Sequence, residues 1–261
     1  MNYGQAILLG FVQGLTEFLP VSSSGHLVVA QAAVGLATPG VVLEVLLHVA
    51  TLLAVVIVYR ERLVELMVGC VRGRAAAWRM VGLLALASVP AAVVGLALQD
   101  FFERAFDSLL AVGINFLITG CVLWSTRWAA PSTSEEVPGA VAAGAVGIAQ
   151  AVAILPGISR SGTTVAAALW FRVRPERAAE FSFLMALPAI AGAAVLELPH
   201  LSVGADGVGW GPLGVGFGAA LISGVFAIRF LVALLRRGAF HRFAPYCWGL
   251  GLATVAWAVV R

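Results

Sequence analysis

The sequence predicts an all-α polytopic membrane protein. Two inverted-topology repeats, each a re-entrant helix-loop-helix plus three transmembrane helices, give six spans in total. Three observations point to it: an apolar composition, a matched pair of breaks in apolar stretches, and a one-sided distribution of arginine. Of 261 residues, 61% are hydrophobic and 11% charged, where soluble domains carry roughly 25% charged residues. Mean hydropathy is +0.99. Uncharged runs at Met80–Gln99, Ser108–Thr126, Gly207–Ile228 and Phe243–Val260 are close to the about 20 residues that carry a helix across a bilayer.

In chain order, the first apolar stretch (residues 4–37) is broken at Pro20 and the serines of LPVSSSGHL. Segments near 41–59, 80–99 and 108–126 follow. The linker TRWAAPSTSEEVPG, Thr126 to Gly139, is polar and turn-forming, and it divides one membrane domain (1–261) into halves 1–130 and 138–261. The second half repeats the plan: a broken stretch (138–172), then segments near 178–198, 210–235 and 243–260. The breaks also align. GFVQGLTEFLPVSSSG starts at Gly10 and GIAQAVAILPGISRSG at Gly147, and in each the glutamine precedes the final glycine by twelve residues.

Each broken stretch is too interrupted to cross as one regular helix, and its halves have re-entrant length. Three true crossings per half then invert the second half relative to the first. On that topology Arg60, Arg62, Arg72, Arg74, Arg79, Arg127, Arg172, Arg174, Arg177, Arg236, Arg237 and Arg242 share one side. Arg104 and Arg261 lie on the other. The bias places the first side in the cytoplasm and both termini outside. The N-terminus lacks a positive region and is not read as a cleaved signal. All 16 basic residues are arginine, mostly in short loops, which is an orientation signal rather than a nucleic-acid stripe. Cys70, Cys121 and Cys247 have neither disulfide nor zinc spacing.

Non-helical backbone at membrane depth survives when buried in protein or lining a wet cavity, so the two breaks are expected to share one. Gln13 and Glu17 are four apart, on one helix face before Pro20. Ser22, Ser23 and Ser24 enter the next helix, with His26 in its first turn. Ser159, Arg160, Ser161, Thr163 and Thr164 occupy the matching helix start. Helix N-termini attract anions, and the Arg160 guanidinium suits phosphate oxygens. The serines also read as helix caps, and Arg160 with Glu17 as a structural ion pair. Together they form the kit for phosphoryl transfer: anion clamp, hydroxyl nucleophile, acid/base and a carboxylate for a divalent cation. No Walker loop, Rossmann glycine pattern or HExxH motif is present.

At these residues the sequence resembles the undecaprenyl-diphosphatase family, the bacitracin-resistance phosphatases. QGLTEFLPVSSSGH is similar to the family's first motif and LPGISRSGTT to its second; LEVLLHVATLLAVVIVYR and AAEFSFLMALPAIAGA extend the likeness over nearly the whole chain. The resemblance implies a phosphatase of the bacterial inner membrane that converts undecaprenyl diphosphate to the monophosphate carrier lipid for cell-wall synthesis, giving bacitracin resistance. It implies Glu17 as ligand of Mg²⁺ or Ca²⁺ with Gln13 beside it, and Ser23 or His26 as nucleophile or base. Arg160 would hold the diphosphate, with Ser22, Ser24, Ser159, Ser161 and Thr164 around it. Many members carry glutamate where this chain has Gln13, which puts two-carboxylate metal binding in doubt. Glu44 and His48 share a face and either support the site or bond to each other; Arg229 snorkels; Glu197, His200 and Asp206 are expected in solvent. The expected partners are the polyprenyl diphosphate and the bilayer, with a homodimer left open and no nucleic acid. The alternative is a transporter or flippase of a phosphorylated lipid using the same cavity.

Overall fold

A computed structural model describes residues 1–34, 41–129, 138–197 and 209–260. Among them the chain forms twelve α-helices, short 3₁₀ turns and no strand. The expected breaks lie between α1 (Tyr3–Phe18) and α2 (Ser23–Val34), and between α8 (Ala140–Val152) and α9 (Arg160–Trp170). Asn2 starts α1 with a capping box: its side chain accepts from the Gln5 amide, and Gln5 returns the bond to the Asn2 N–H. The helix stops because Pro20 holds Leu19 extended, at ψ 146°.

After α1–α2 come α3 (Val41–Val58), α4 (Arg60–Val71), α5 (Ala75–Ala97), α6 (Gln99–Phe106) and α7 (Leu109–Ser125). After α8–α9 come α10 (Pro175–Glu197), α11 (Trp210–Arg236) and α12 (Ala244–Val260). The α5, α11 and α12 segments, and α7 with its 3₁₀ extension to Trp128, are long and apolar enough to cross a membrane, while α3 and α4 form a pair bent by 75°. The protein is a multi-pass membrane protein, and α5 turns Val89, Val93 and Leu96 outward as a lipid-facing surface would require. Helices α4 and α6 fall where the sequence reading had only loops. Both are short and charge-rich, and α6 anchors itself through buried Phe102. Linker residues 130–137, His200, Asp206, Arg261 and the Glu197 side chain lie outside what the structure describes.

Packing explains how the short helices reach the middle. Helix α1 runs parallel to α11, with Gly10 against Gly216 and Gly14 against Ala220 and Ser223. Glycines four apart let the two backbones approach closely, as apolar surroundings favour. Helix α8 runs parallel to α5 in the same way, Gly147 backing on Ala87 and Gly95 near Ile154. Helices α7 and α12 are antiparallel, Gly120 meeting Trp248 and Gly113 meeting Val255. Helix α3 packs on α10 and α11, and α10 on α5. Exchanging the halves maps α1–α11 onto α8–α5 and α3–α11 onto α10–α5, and leaves α7–α12 and α3–α10 in place. The core beneath the breaks is built from Phe18, Leu123, Phe181, Phe183 and Met185, all almost fully buried.

Candidate active site

Both breaks end in the same device. Ser22 caps α2, its Oγ accepting from the Gly25 N–H at 3.3 Å. Ser159 caps α9, its Oγ accepting from the Gly162 N–H at 3.0 Å. Each cap hydroxyl also lies 3.3 Å from the serine two residues on, Ser24 and Ser161. The residue after the cap is Ser23 in one break and Arg160 in the other, so the two equivalent first helical positions carry a hydroxyl and a cation. Ser22 adopts φ 68°, a left-handed conformation that costs a non-glycine residue roughly 1–3 kcal/mol and persists where neighbours over-determine it.

Those neighbours come from the other break. The Gly157 N–H donates to Ser22 Oγ at 3.1 Å, and Ser161 Oγ donates to the Leu19 carbonyl at 3.0 Å. Gly157 itself has φ 92°, and a Cβ there would press on Asn115 and the Val112 carbonyl. Its loop is pinned to α7 by Asn115 Nδ2 donating to the Pro156 carbonyl (2.8 Å) and Thr119 Oγ1 to the Gly157 carbonyl (2.8 Å). The two breaks, expected to share one cavity, are brought together: their turns are hydrogen-bonded to each other.

Glu17 is the hub. Its Oε1 accepts from Arg160 Nη2 at 2.8 Å. Its Oε2 accepts from Ser23 Oγ at 2.7 Å and from Gln13 Nε2 at 3.1 Å. His48 Nε2 lies 3.9 Å from the same Oε2, while His48 Nδ1 donates to the Glu44 carbonyl at 2.8 Å. The histidine is therefore bonded within its own helix and also turned toward the site. Glu17 is 6% exposed, so its charge depends on these donors; removing one partner of such a pair leaves an uncompensated buried charge, a loss of about 3–5 kcal/mol.

His26 is occupied differently. Its Nδ1 donates to the Ser22 carbonyl at 2.7 Å, so its Nε2 accepts from the Tyr246 hydroxyl at 2.6 Å. The two rings stack, and Phe116 meets His26 edge-on. Ser23, Ser24 and His26 are half-buried; Ser159 and Ser161 are buried. Thr164 is fully buried and donates to the Arg160 carbonyl at 2.6 Å, with Ser182 Oγ 2.7 Å away. Thr163 bonds back into its own helix start. Sequence reasoning missed Tyr246, Ser182, Asn115 and Thr119. The last two were legible as polar residues four apart in an uncharged run; Tyr246 and Ser182 carried no such signal.

Glu17 is the carboxylate that these donors share, and among the described residues Gln13 Oε1 is buried without a hydrogen-bond partner. One carboxylate and an amide oxygen suit a hard cation that completes its shell with water and phosphate oxygens. Among the described residues no three of His, Cys, Asp and Glu form a cage.

Helices broken in pairs around a buried carboxylate, with a half-buried hydroxyl and guanidinium on it, define an integral-membrane protein with a polar cluster where the breaks meet. The chain belongs to the bacitracin resistance protein BacA family, whose family model matches residues 6–253. An undecaprenyl-diphosphatase of Carboxydothermus hydrogenoformans is 43% identical over 257 residues, 97% of this chain and 96% of the relative. Those of Syntrophotalea carbinolica and Korarchaeum cryptofilum are 41% and 37% identical, covering 96% and 98% of this chain and 97% and 99% of theirs.

Proposed function

We propose that the chain is an undecaprenyl-diphosphatase that releases inorganic phosphate from undecaprenyl diphosphate, recycling the carrier lipid for cell-wall synthesis and giving resistance to bacitracin. The carrying observation is Ser23 Oγ at 2.7 Å from Glu17 Oε2, with Arg160 on the other oxygen. A hydroxyl donating to a carboxylate is a nucleophile with its base in place. Ser23 attacks the terminal phosphorus, and its proton passes to Glu17. The bond to the bridging oxygen breaks, and undecaprenyl phosphate leaves with the proton from Glu17. Water then hydrolyses the phosphoserine, with Glu17 again the base. Arg160, drawn off Glu17 by the diphosphate, carries the phosphate charge beside the N–H groups of α2 and α9.

His26 has both nitrogens engaged, so its place in this reading is to hold the α2 entrance with Tyr246. A Mg²⁺ or Ca²⁺ would be held by Glu17 and Gln13 Oε1, and its chemistry there is to neutralise the diphosphate. The antiparallel α7–α12 pair, which the exchange of halves maps onto itself, supports the inverted repeat, and the one-sided arginines support both termini outside. The names of the relatives favour hydrolysis over the transport alternative. Phosphate release from a polyprenyl diphosphate by purified protein tests the reading, and a covalent phospho-adduct at Ser23, absent in Ser23→Ala, tests the mechanism. No release from folded protein, or full activity in Glu17→Ala, would sink it.

A further inference from the structure

On the arginine-rich face, away from the catalytic cluster, the ends of α3 and α11 enclose a cleft of about 430 Å³. Its walls are apolar, from Val58, Ile228 and Val232, and three arginines rim it: Arg229, Arg236 and Arg237. Among the described residues no carboxylate lines it. Arg236 has one loose contact, Nε to Glu176 Oε1 at 3.4 Å. Arg229 and Arg237 have no acidic partner among the described residues. Glu180, one turn further along α10 from Glu176, is held by Arg62 at 2.8 Å and Arg177 at 2.7 Å.

Depth makes the cleft specific. Arg229 sits seven residues before Arg236 on α11, about 10 Å further along the helix toward the membrane interior. A guanidinium there, exposed and without a counter-charge, is costly in hydrocarbon unless it snorkels or meets an anion. An apolar wall below and cations at two levels match one occupant, a lipid whose chains lie along the helices and whose phosphate sits among the arginines.

We propose that this cleft binds an anionic phospholipid of the surrounding bilayer. Bound there, the lipid ties α3, which carries His48, to α11, which backs Gln13 and Glu17 through the α1 contact. The proposal does not depend on the phosphatase reading.

The test is native mass spectrometry of the full-length protein in detergent, titrated with phosphatidylglycerol, phosphatidylcholine or undecaprenyl phosphate. The wild-type protein should retain one phosphatidylglycerol with a preference over phosphatidylcholine on the order of 30-fold or more. The Arg229→Gln/Arg236→Gln/Arg237→Gln variant should keep the helical content of the wild type by circular dichroism while losing that preference. The Arg72→Gln/Arg74→Gln/Arg79→Gln variant should keep it. Equal retention of the two phospholipids by the wild type, which needs no variant to fold, overturns the proposal. So does unchanged retention in the cleft variant, or displacement of phosphatidylglycerol by equimolar undecaprenyl phosphate.

Discussion

Glu17 takes donors on both oxygens, and that sets what each substitution does. On the proposed mechanism Ser23→Ala removes the attacking oxygen but leaves the ion pair intact, so phosphate release should fall by about 10²–10⁴-fold with little change in thermal stability. Arg160→Lys keeps the charge and loses the fork; release should fall by about 10²–10³-fold. Gln13→Glu adds a second carboxylate, and the Mg²⁺ concentration for half-maximal release should drop. Gln150 stands where Gln13 stands in the other half, buried with neither amide atom bonded, so Gln150→Leu should stabilise the protein by about 1–3 kcal/mol in thermal unfolding. The residue types of the site were legible as two motifs. Their surroundings were not: the hydrogen bond that engages His26 comes from Tyr246, 220 residues away in sequence.

Helices α1 and α8 hold the two breaks beside the long spans because each lies on one of them through small residues. At Gly14 an added Cβ would strike the Ala220 carbonyl and Ser223. Gly14→Val should therefore lower the unfolding temperature, by about 1–3 kcal/mol of stability, and reduce activity with it. Pro20 and the serines foretold where the first break falls. Helices α4 and α6 escaped the reading because a run of about ten charged and apolar residues lacks the uninterrupted apolar length by which the spans were found. The sharp turn at Tyr59 between α3 and α4 likewise has no proline or glycine to announce it.

At the scale of the molecule, the breaks function as a pair. Ser22 is held by Gly157 and Leu19 by Ser161, so neither turn is complete without the other half. The repeat was visible because the spacing from glutamine to glycine is the same in both breaks; the pairing of α1 with α11 and α8 with α5 was not, since each pair joins a helix of one half to a helix of the other. A cysteine placed at Ser132 in a cysteine-free background should resist an impermeant maleimide in intact cells, and one at Asn2 should react; the reverse pattern would invert the orientation. The most direct test of the central claim is phosphate release from undecaprenyl diphosphate by the purified protein, run beside Ser23→Ala with mass spectrometry of the trapped enzyme. Joint action of the two breaks predicts release, a phosphoryl group on Ser23, and loss of both in the variant. Release that survives Ser23→Ala, with no adduct in the wild type, would contradict it.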